Sequence, residues 1–213
     1  MLNHWLSILQ SYRLIGVIRS SNREIAIKKA HALANGGVKL IEITWNSYQP
    51  QELISILRQE LPNCYIGAGT ILCYQDLVTA MDAGIQFCFT PHCDLNLLNL
   101  AHNQDIPMIP GALSPTEIIH AFNHGAKVVK VFPISTMGGI DYIKHIRAPL
   151  PHIPLIPTGG VTIQNASDYI KAGAIAIGLS TDLFPQKLIF DDNWGMISQR
   201  INHIQQQLVN ISN

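Results

Sequence analysis

The chain has little charge of either sign. Only 13% of its 213 residues are Asp, Glu, Lys or Arg, and they sum to a formal net charge of zero. A protein that grips nucleic acid usually carries a basic stripe, so that class of partner is not expected. A small anionic substrate is not excluded, because a local cluster of cations attracts it without a net positive charge. Cysteine is also scarce. Cys64, Cys73, Cys88 and Cys93 form no C-x-x-C pair, and a chain of this length needs no disulfide staples. They read as core or near-core thiols of a reducing compartment. No apolar run approaches a membrane span. The N-terminus places Leu2, Trp5, Leu6, Ile8 and Leu9 at helical spacing, without the basic start, continuous apolar stretch or cleavage site of a secretory signal. The expected location is therefore the cytoplasm, with no membrane partner. The nine histidines are scattered, and His92-Cys93 has no matching ligand set, so no metal is expected. No G-x-G-x-x-G follows the first apolar run, and no G-x-S-x-G elbow occurs.

What the chain does contain is apolar sequence in short pieces. Hydrophobic residues make up 47% of it. They concentrate in β-branched runs at Ile15–Arg19, Leu40–Trp45, Tyr65–Thr70, Phe87–Thr90, Pro107–Gly111, Val128–Pro133, Leu155–Gly160 and Ala174–Ser180. The runs recur about every 20–25 residues, the period of one strand–helix unit. Amphipathic stretches lie between them. Asn22 to Asn35 carries Ile25, Ala26, Ala30 and Leu33 on one side and stops at Gly36-Gly37. Ser114-Pro115-Thr116-Glu117 has a capping serine, proline at the first helical position and glutamate three residues on. Asp94 precedes a helix at Leu95–Asn103, and Thr162 one at Gln164–Lys171. Eight such units predict a single (β/α)8 TIM barrel over residues 1–213, with an extra N-terminal helix closing its bottom or packing on its side. An open doubly wound sheet is the second choice.

Charge breaks into three of the runs. Lys130 sits within Val128-Val129-Lys130-Val131-Phe132-Pro133, Glu42 within Leu40-Ile41-Glu42-Ile43-Thr44, and Arg19 ends Ile15-Gly16-Val17-Ile18-Arg19. Such runs are normally buried on both faces, where an isolated charge is costly. Desolvation and a neighbouring cation lower a lysine pKa and free its amine for attack on a carbonyl. Lys130 is therefore a candidate nucleophile, although a lone lysine can equally snorkel to the barrel rim. Glu42 suits proton transfer, or a structural salt bridge to Arg19 or Lys130. Arg19 suits a substrate carboxylate, or neutralisation of Glu42. After the seventh and eighth runs come Thr158-Gly159-Gly160 and Gly178-Leu179-Ser180, where barrels of this kind hold phosphate on glycine backbone amides. Tight turns alone would also account for these glycines.

Taken in order, Ile41-Glu42-Ile43-Thr44, Gly67-Ala68-Gly69-Thr70, Thr90-Pro91-His92, Pro110-Gly111, Ser114-Pro115-Thr116-Glu117, Val129-Lys130-Val131-Phe132-Pro133 and Pro157-Thr158-Gly159-Gly160-Val161 resemble the KDPG/KHG aldolases. The resemblance implies a lysine Schiff-base enzyme that cleaves 2-keto-3-deoxy-6-phosphogluconate, and also 4-hydroxy-2-oxoglutarate, releasing pyruvate without any cofactor. It implies Lys130 as the imine-forming residue and Glu42 as general acid/base. Arg19 and Thr70 match the holders of the pyruvyl carboxylate. Thr158, Pro91 and Phe132 match the pocket, and Gly159, Gly160 and Ser180 the phosphate site. It also implies a homotrimer. Asn46-Ser47 departs from the Thr-Leu-Arg-Thr string of some members and looks more like the 2-keto-3-deoxy-6-phosphogalactonate aldolases, whereas Thr158 stands where those tend to have valine. Three alternatives stay open at this stage: that galactonate enzyme, a phosphate-binding isomerase or epimerase, and a catalytically dead metabolite-binding barrel.

Overall fold

Parallel strands dominate the computed structural model, which describes residues 2–211, the side chains of Leu2, Asn3 and His4 excepted. In chain order the elements are α1 (Leu2–Tyr12), β1 (Leu14–Ile18), α2 (Arg23–Asn35), β2 (Leu40–Thr44), α3 (Pro50–Glu60), β3 (Tyr65–Gly69), α4 (Tyr74–Asp82), β4 (Cys88–Phe89), α5 (Leu95–Asn103), β5 (Met108–Ile109), β6 (Gly111–Ala112), α6 (Pro115–Asn123), β7 (Val129–Val131), α7 (Ile140–Arg147), β8 (Leu155–Pro157), α8 (Ala166–Lys171), β9 (Ile177–Leu179), α9 (Gln186–Phe190) and α10 (Trp194–Val209). Short 3-10 turns at Ile134–Met137 and Thr181–Leu183 follow β7 and β9.

One sheet runs β5-β4-β3-β2-β1-β9 and a second β6-β7-β8. They are two arcs of one ring. The fifth predicted strand is split into β5 and β6 at Pro110, which has no N–H to offer a ladder. On the other side β8 meets β9 through a parallel bridge between Thr158 and Gly178 and the Ile175 N–H to Leu155 carbonyl bond of 3.0 Å. The barrel expectation therefore holds, with eight strand positions and the fifth broken. At their C-terminal ends most strands stop one to three residues before the apolar runs do. The residues left over lie beyond the strands proper and form the mouth.

The barrel interior is filled by alternate residues: Ile15 and Val17, Leu40, Phe87 and Phe89, Ile109, Val128 and Ile156. α1 closes the bottom. Its Trp5 ring lies 5.1 Å from Phe87, which packs edge-on at 5.9 Å against Phe89. Ile8 and Leu9 bury beside them, each contributing roughly 1.5–3 kcal/mol relative to exposure. The Leu2 side chain, placed on the same helical face by its spacing, lies outside the described residues. The opposite faces of the strands pack on the helices. α10 presses Ile197, Ile201, Ile204 and Leu208 into that shell. It crosses so close to the end of α2 that a Cβ on Gly36 would lie 2.4 Å from Ile201 Cγ2.

Several local expectations are met and two are corrected. Asn22 caps α2, Asp94 caps α5, and Ser114 with Glu117 forms a complete capping box on α6. α8, however, starts at Ala166, not Gln164. Thr162 and Asn165 instead exchange hydrogen bonds, Thr162 N–H to Asn165 Oδ1 at 2.8 Å and Asn165 N–H to Thr162 Oγ1 at 3.3 Å, which closes a turn before the helix. Cys64 and Cys88 are buried as expected, but Cys73 is exposed, because it sits at the N-terminal cap of α4 outside the packed shell. No helix of the described residues is long and apolar enough to cross a membrane.

Candidate active site

Lys130 is the central residue of β7 and shares the inward face of Val128. It is 5% exposed. Its Nζ lies 4.8 Å from the centre of the Phe132 ring and 5.7 Å from that of Phe89. Ring faces partly compensate a cation, at about 0.5–2 kcal/mol, but do not replace water. Burial therefore pulls the Lys130 pKa below the ordinary lysine value. Glu42 works against that fall, and Arg19 adds to it.

Glu42 lies on the inward face of β2, paired in register with Val17 on one side and Gly67 on the other. It is 2% exposed. Burial raises its pKa, opposed by Lys130 and Arg19. Neither Glu42 nor Lys130 makes an ion pair with the other or with any described residue. The contact salt bridge weighed as Glu42's structural role is thus absent, and the two groups feel one another through space in an apolar lumen.

Space for the carboxylate comes from Gly69, whose added Cβ would fall 1.7 Å from Glu42 Oε1. Gly69→Ala must push the carboxylate aside. A misplacement of about 1 Å costs on the order of 100-fold in turnover, so steady-state kinetics on this variant should show a fall in kcat of that size. Unchanged kcat would mean that the position of Glu42 is immaterial.

Arg19 is corrected by the structure. It was read as the last residue of a buried strand, but β1 ends at Ile18, and Arg19 is exposed at the mouth. The last ladder pair is Ile18 with Ile43, so one residue further the guanidinium reaches water and escapes the cost of burial. It remains near enough to act on both Lys130 and Glu42. Thr70 leaves β3 with φ of 59°, a left-handed backbone that β-branched residues seldom adopt. Strain of this kind gathers at functional positions. Pro91 is half-buried in the loop after β4, and Gly111 packs against its backbone so closely that a Cβ would sit 2.4 Å from the Pro91 carbonyl.

Phe132 joins the lysine to the glycine loop. A Cβ on Gly159 would lie 3.0 Å from the Phe132 ring. Gly159 and Gly160 have φ of 83° and 95°, and a Cβ on Gly160 would strike Ser135 at 2.3 Å. The Gly159 carbonyl is turned away, accepting from Ser135 N–H at 3.1 Å. Thr158 stands against Gly178, where a Cβ would come 2.7 Å from its Oγ1. Ser180 follows β9 and opens the 3-10 turn Thr181–Leu183. The glycine pair and Ser180 thus belong to neighbouring loops on the same rim.

Two residues whose holding role the sequence does not show tie the rim together. Ser47, 8% exposed, accepts from Ser20 N–H at 3.2 Å and shares a hydrogen bond with Thr44 Oγ1 at 3.1 Å, which fastens the loop carrying Arg19 to the end of β2. Asp182 Oδ2 accepts from Ile163 N–H at 2.7 Å, bridging the loops after β8 and β9. Among the described residues no group of three or more metal-ligating side chains converges.

A parallel barrel with a buried lysine and carboxylate beneath a glycine-lined rim has the make-up of a barrel-enzyme active site. The family described as KDPG and KHG aldolase matches residues 6–200. The 2-dehydro-3-deoxy-phosphogluconate aldolase of Pseudomonas aeruginosa is 32% identical over 193 residues, 91% of this chain and 88% of that one. KDPG aldolase from Legionella pneumophila, solved with pyruvate captured as a covalent carbinolamine, superposes with a TM-score of 0.85 at 27% identity, covering 93% and 97% of the two chains. A native KDPGal structure gives 0.82 at 28%, covering 93% and 96%. The chain belongs to the KDPG and KHG aldolase family.

Proposed function

We propose that this protein cleaves 2-keto-3-deoxy-6-phosphogluconate to pyruvate and glyceraldehyde 3-phosphate, and 4-hydroxy-2-oxoglutarate to pyruvate and glyoxylate, through an imine on Lys130. The observation that carries the reading is the lysine itself: a 5% exposed amine, its pKa lowered by burial, sharing an apolar lumen with a 2% exposed carboxyl. The neutral amine attacks the C2 ketone, and loss of water from the carbinolamine gives a protonated imine. Glu42, directly or through one water, takes the proton of the C4 hydroxyl. The C3–C4 bond breaks, and its electron pair moves into the imine to give an enamine while the aldehyde leaves. Protonation at C3 and hydrolysis then free pyruvate and the amine. Arg19 and Thr70 hold the pyruvyl carboxylate, and Thr158, Pro91 and Phe132 line the pocket. Gly159, Gly160 and Ser180 bind the phosphate.

The residues' ordered likeness to the family supports treating 1–213 as one catalytic domain that works in the cytoplasm as a homotrimer. Light scattering on the purified protein tests the trimer.

A coupled pyruvate-release assay tests the activity, run on both epimeric phosphosugar acids and on 4-hydroxy-2-oxoglutarate, with and without a chelator. Turnover on the order of 1–10³ per second on the gluconate epimer is expected, unchanged by chelation. No pyruvate from any of the three would overturn the assignment. A second reading, preference for the galactonate epimer, is favoured by Asn46-Ser47 and by the similarity to the KDPGal structure. The ratio of the two epimers' kcat/KM decides between them.

A further inference from the structure

The phosphate rim assigned above is made from two separate loops, and among the described residues the hydrogen bond that crosses between them is that of Asp182. Gly159 and Gly160 belong to the loop that leaves β8. Its far end is closed by the reciprocal Thr162–Asn165 bonds. Ser180 belongs to the loop that leaves β9 and runs directly into the turn Thr181–Leu183. The strands beneath are joined by the Thr158–Gly178 bridge and, lower down, by the Ile175 N–H to Leu155 carbonyl bond. Above that bridge, the Asp182 carboxylate reaches across to Ile163 N–H at 2.7 Å.

A carboxylate is an odd residue to place two positions from a phosphate-binding serine. On charge alone it repels a dianion. Its geometry supplies a reason for its presence: the side chain acts on the neighbouring loop's backbone rather than on a ligand. Both glycines hold left-handed backbones, at φ 83° and 95°, which leave the loop many alternatives unless its ends are fixed. Thr162–Asn165 fixes the loop to its own helix. Asp182 fixes it to the strand that carries Ser180.

We propose that Asp182 is a positioning residue that latches the two halves of the phosphate rim at a fixed spacing, and so sets affinity for phosphorylated substrates without touching them. The proposal deepens the aldolase reading and rests on its assignment of Gly159, Gly160 and Ser180. Asp182→Ala removes the acceptor, whereas Asp182→Asn keeps an oxygen that can accept from Ile163 N–H and discards the charge.

The expected result is a substrate-selective loss. In Asp182→Ala, KM for the phosphosugar acid rises about five- to ten-fold, the scale of one lost positioning hydrogen bond. KM and kcat on 4-hydroxy-2-oxoglutarate, which has no phosphate, stay within about two-fold. Asp182→Asn stays near the parent on both substrates. Isothermal titration with inorganic phosphate should show the same order of affinities, parent and Asn above Ala, and needs no turnover. An equal loss on both substrates would make the bond merely structural and overturn the latch. So would equal behaviour of the Ala and Asn variants, which would make charge the cause. A parent protein that binds inorganic phosphate but releases no pyruvate would sink the aldolase reading alone, and the titration series would still decide the latch. A parent that binds no phosphate would sink the latch.

Discussion

Lys130→Ala should abolish pyruvate release, with kcat/KM falling on the order of 10⁴-fold or more, because no other group among the residues around it can form the imine. Borohydride with pyruvate should leave one 1-carboxyethyl group, the reduced imine, on the Lys130 amine of the parent and none on the variant, as read by peptide mass spectrometry. Glu42→Gln separates the steps. Its lysine still traps pyruvate, while turnover falls by roughly 10²–10⁴, the usual worth of a general acid/base. The pH profile follows from the sign of the lysine shift. Attack needs the neutral amine, so activity rises as pH climbs through the Lys130 pKa. An ordinary lysine would put that rise near 10.5. Burial moves it lower, helped by Arg19 and resisted by Glu42, so the acidic limb of kcat/KM should lie below 10.5. Full activity in Lys130→Ala, or a limb at the ordinary value, would end the imine mechanism.

How much of this was visible beforehand depends on which physical rule each residue obeys. Lys130 and Glu42 were legible because a charge in a buried parallel strand violates composition, and the structure leaves both almost without exposure. The strand centres were legible for the same reason. Strand ends were not. Arg19, Thr70, Pro133 and Ser180 continue an apolar or β-branched run, yet the ladder stops before each of them. Periodicity reports which way a side chain faces, not where the last hydrogen bond falls. Pro110 shows the converse, since a known donor loss marks the break between β5 and β6.

The residues that shape the site by contact were the hardest to see. Gly69 belongs to a Gly-Ala-Gly-Thr string that reads as the end of the third strand and, taken alone, is a weak signal. Its necessity appears once Glu42 is found 1.7 Å from where its Cβ would be. Ser47 and Asp182 act on backbone amides 27 and 19 residues away, a distance at which sequence patterns carry no signal. Charge oddities thus announce the chemistry, and the parts that hold it in place emerge only from the fold.

The same oddity that reveals the site should cost the fold stability. Lys130 titrates below its ordinary 10.5 in the native state. As pH falls from 10.5 toward that lowered value, the unfolded chain takes up a proton first, and the native state loses stability. Glu42 titrates above its ordinary 4.5. As pH rises from 4.5 toward that raised value, the unfolded chain gives up its proton first, and again the native state loses. At neutral pH both losses fall within the working range of the enzyme. Replacing both groups by neutral side chains of similar size, Lys130→Met with Glu42→Gln, removes them together. The double variant should therefore be inactive yet more stable, because neither buried position then carries a group that titrates differently in the native and unfolded states. Urea unfolding at pH 7 measures this gain. For Lys130→Met alone the gain should vanish above pH 10.5, and for Glu42→Gln alone below pH 4.5. A double variant no more stable than the parent would mean that the lumen already solvates both groups. The argument that burial keeps the amine neutral would then fail with it.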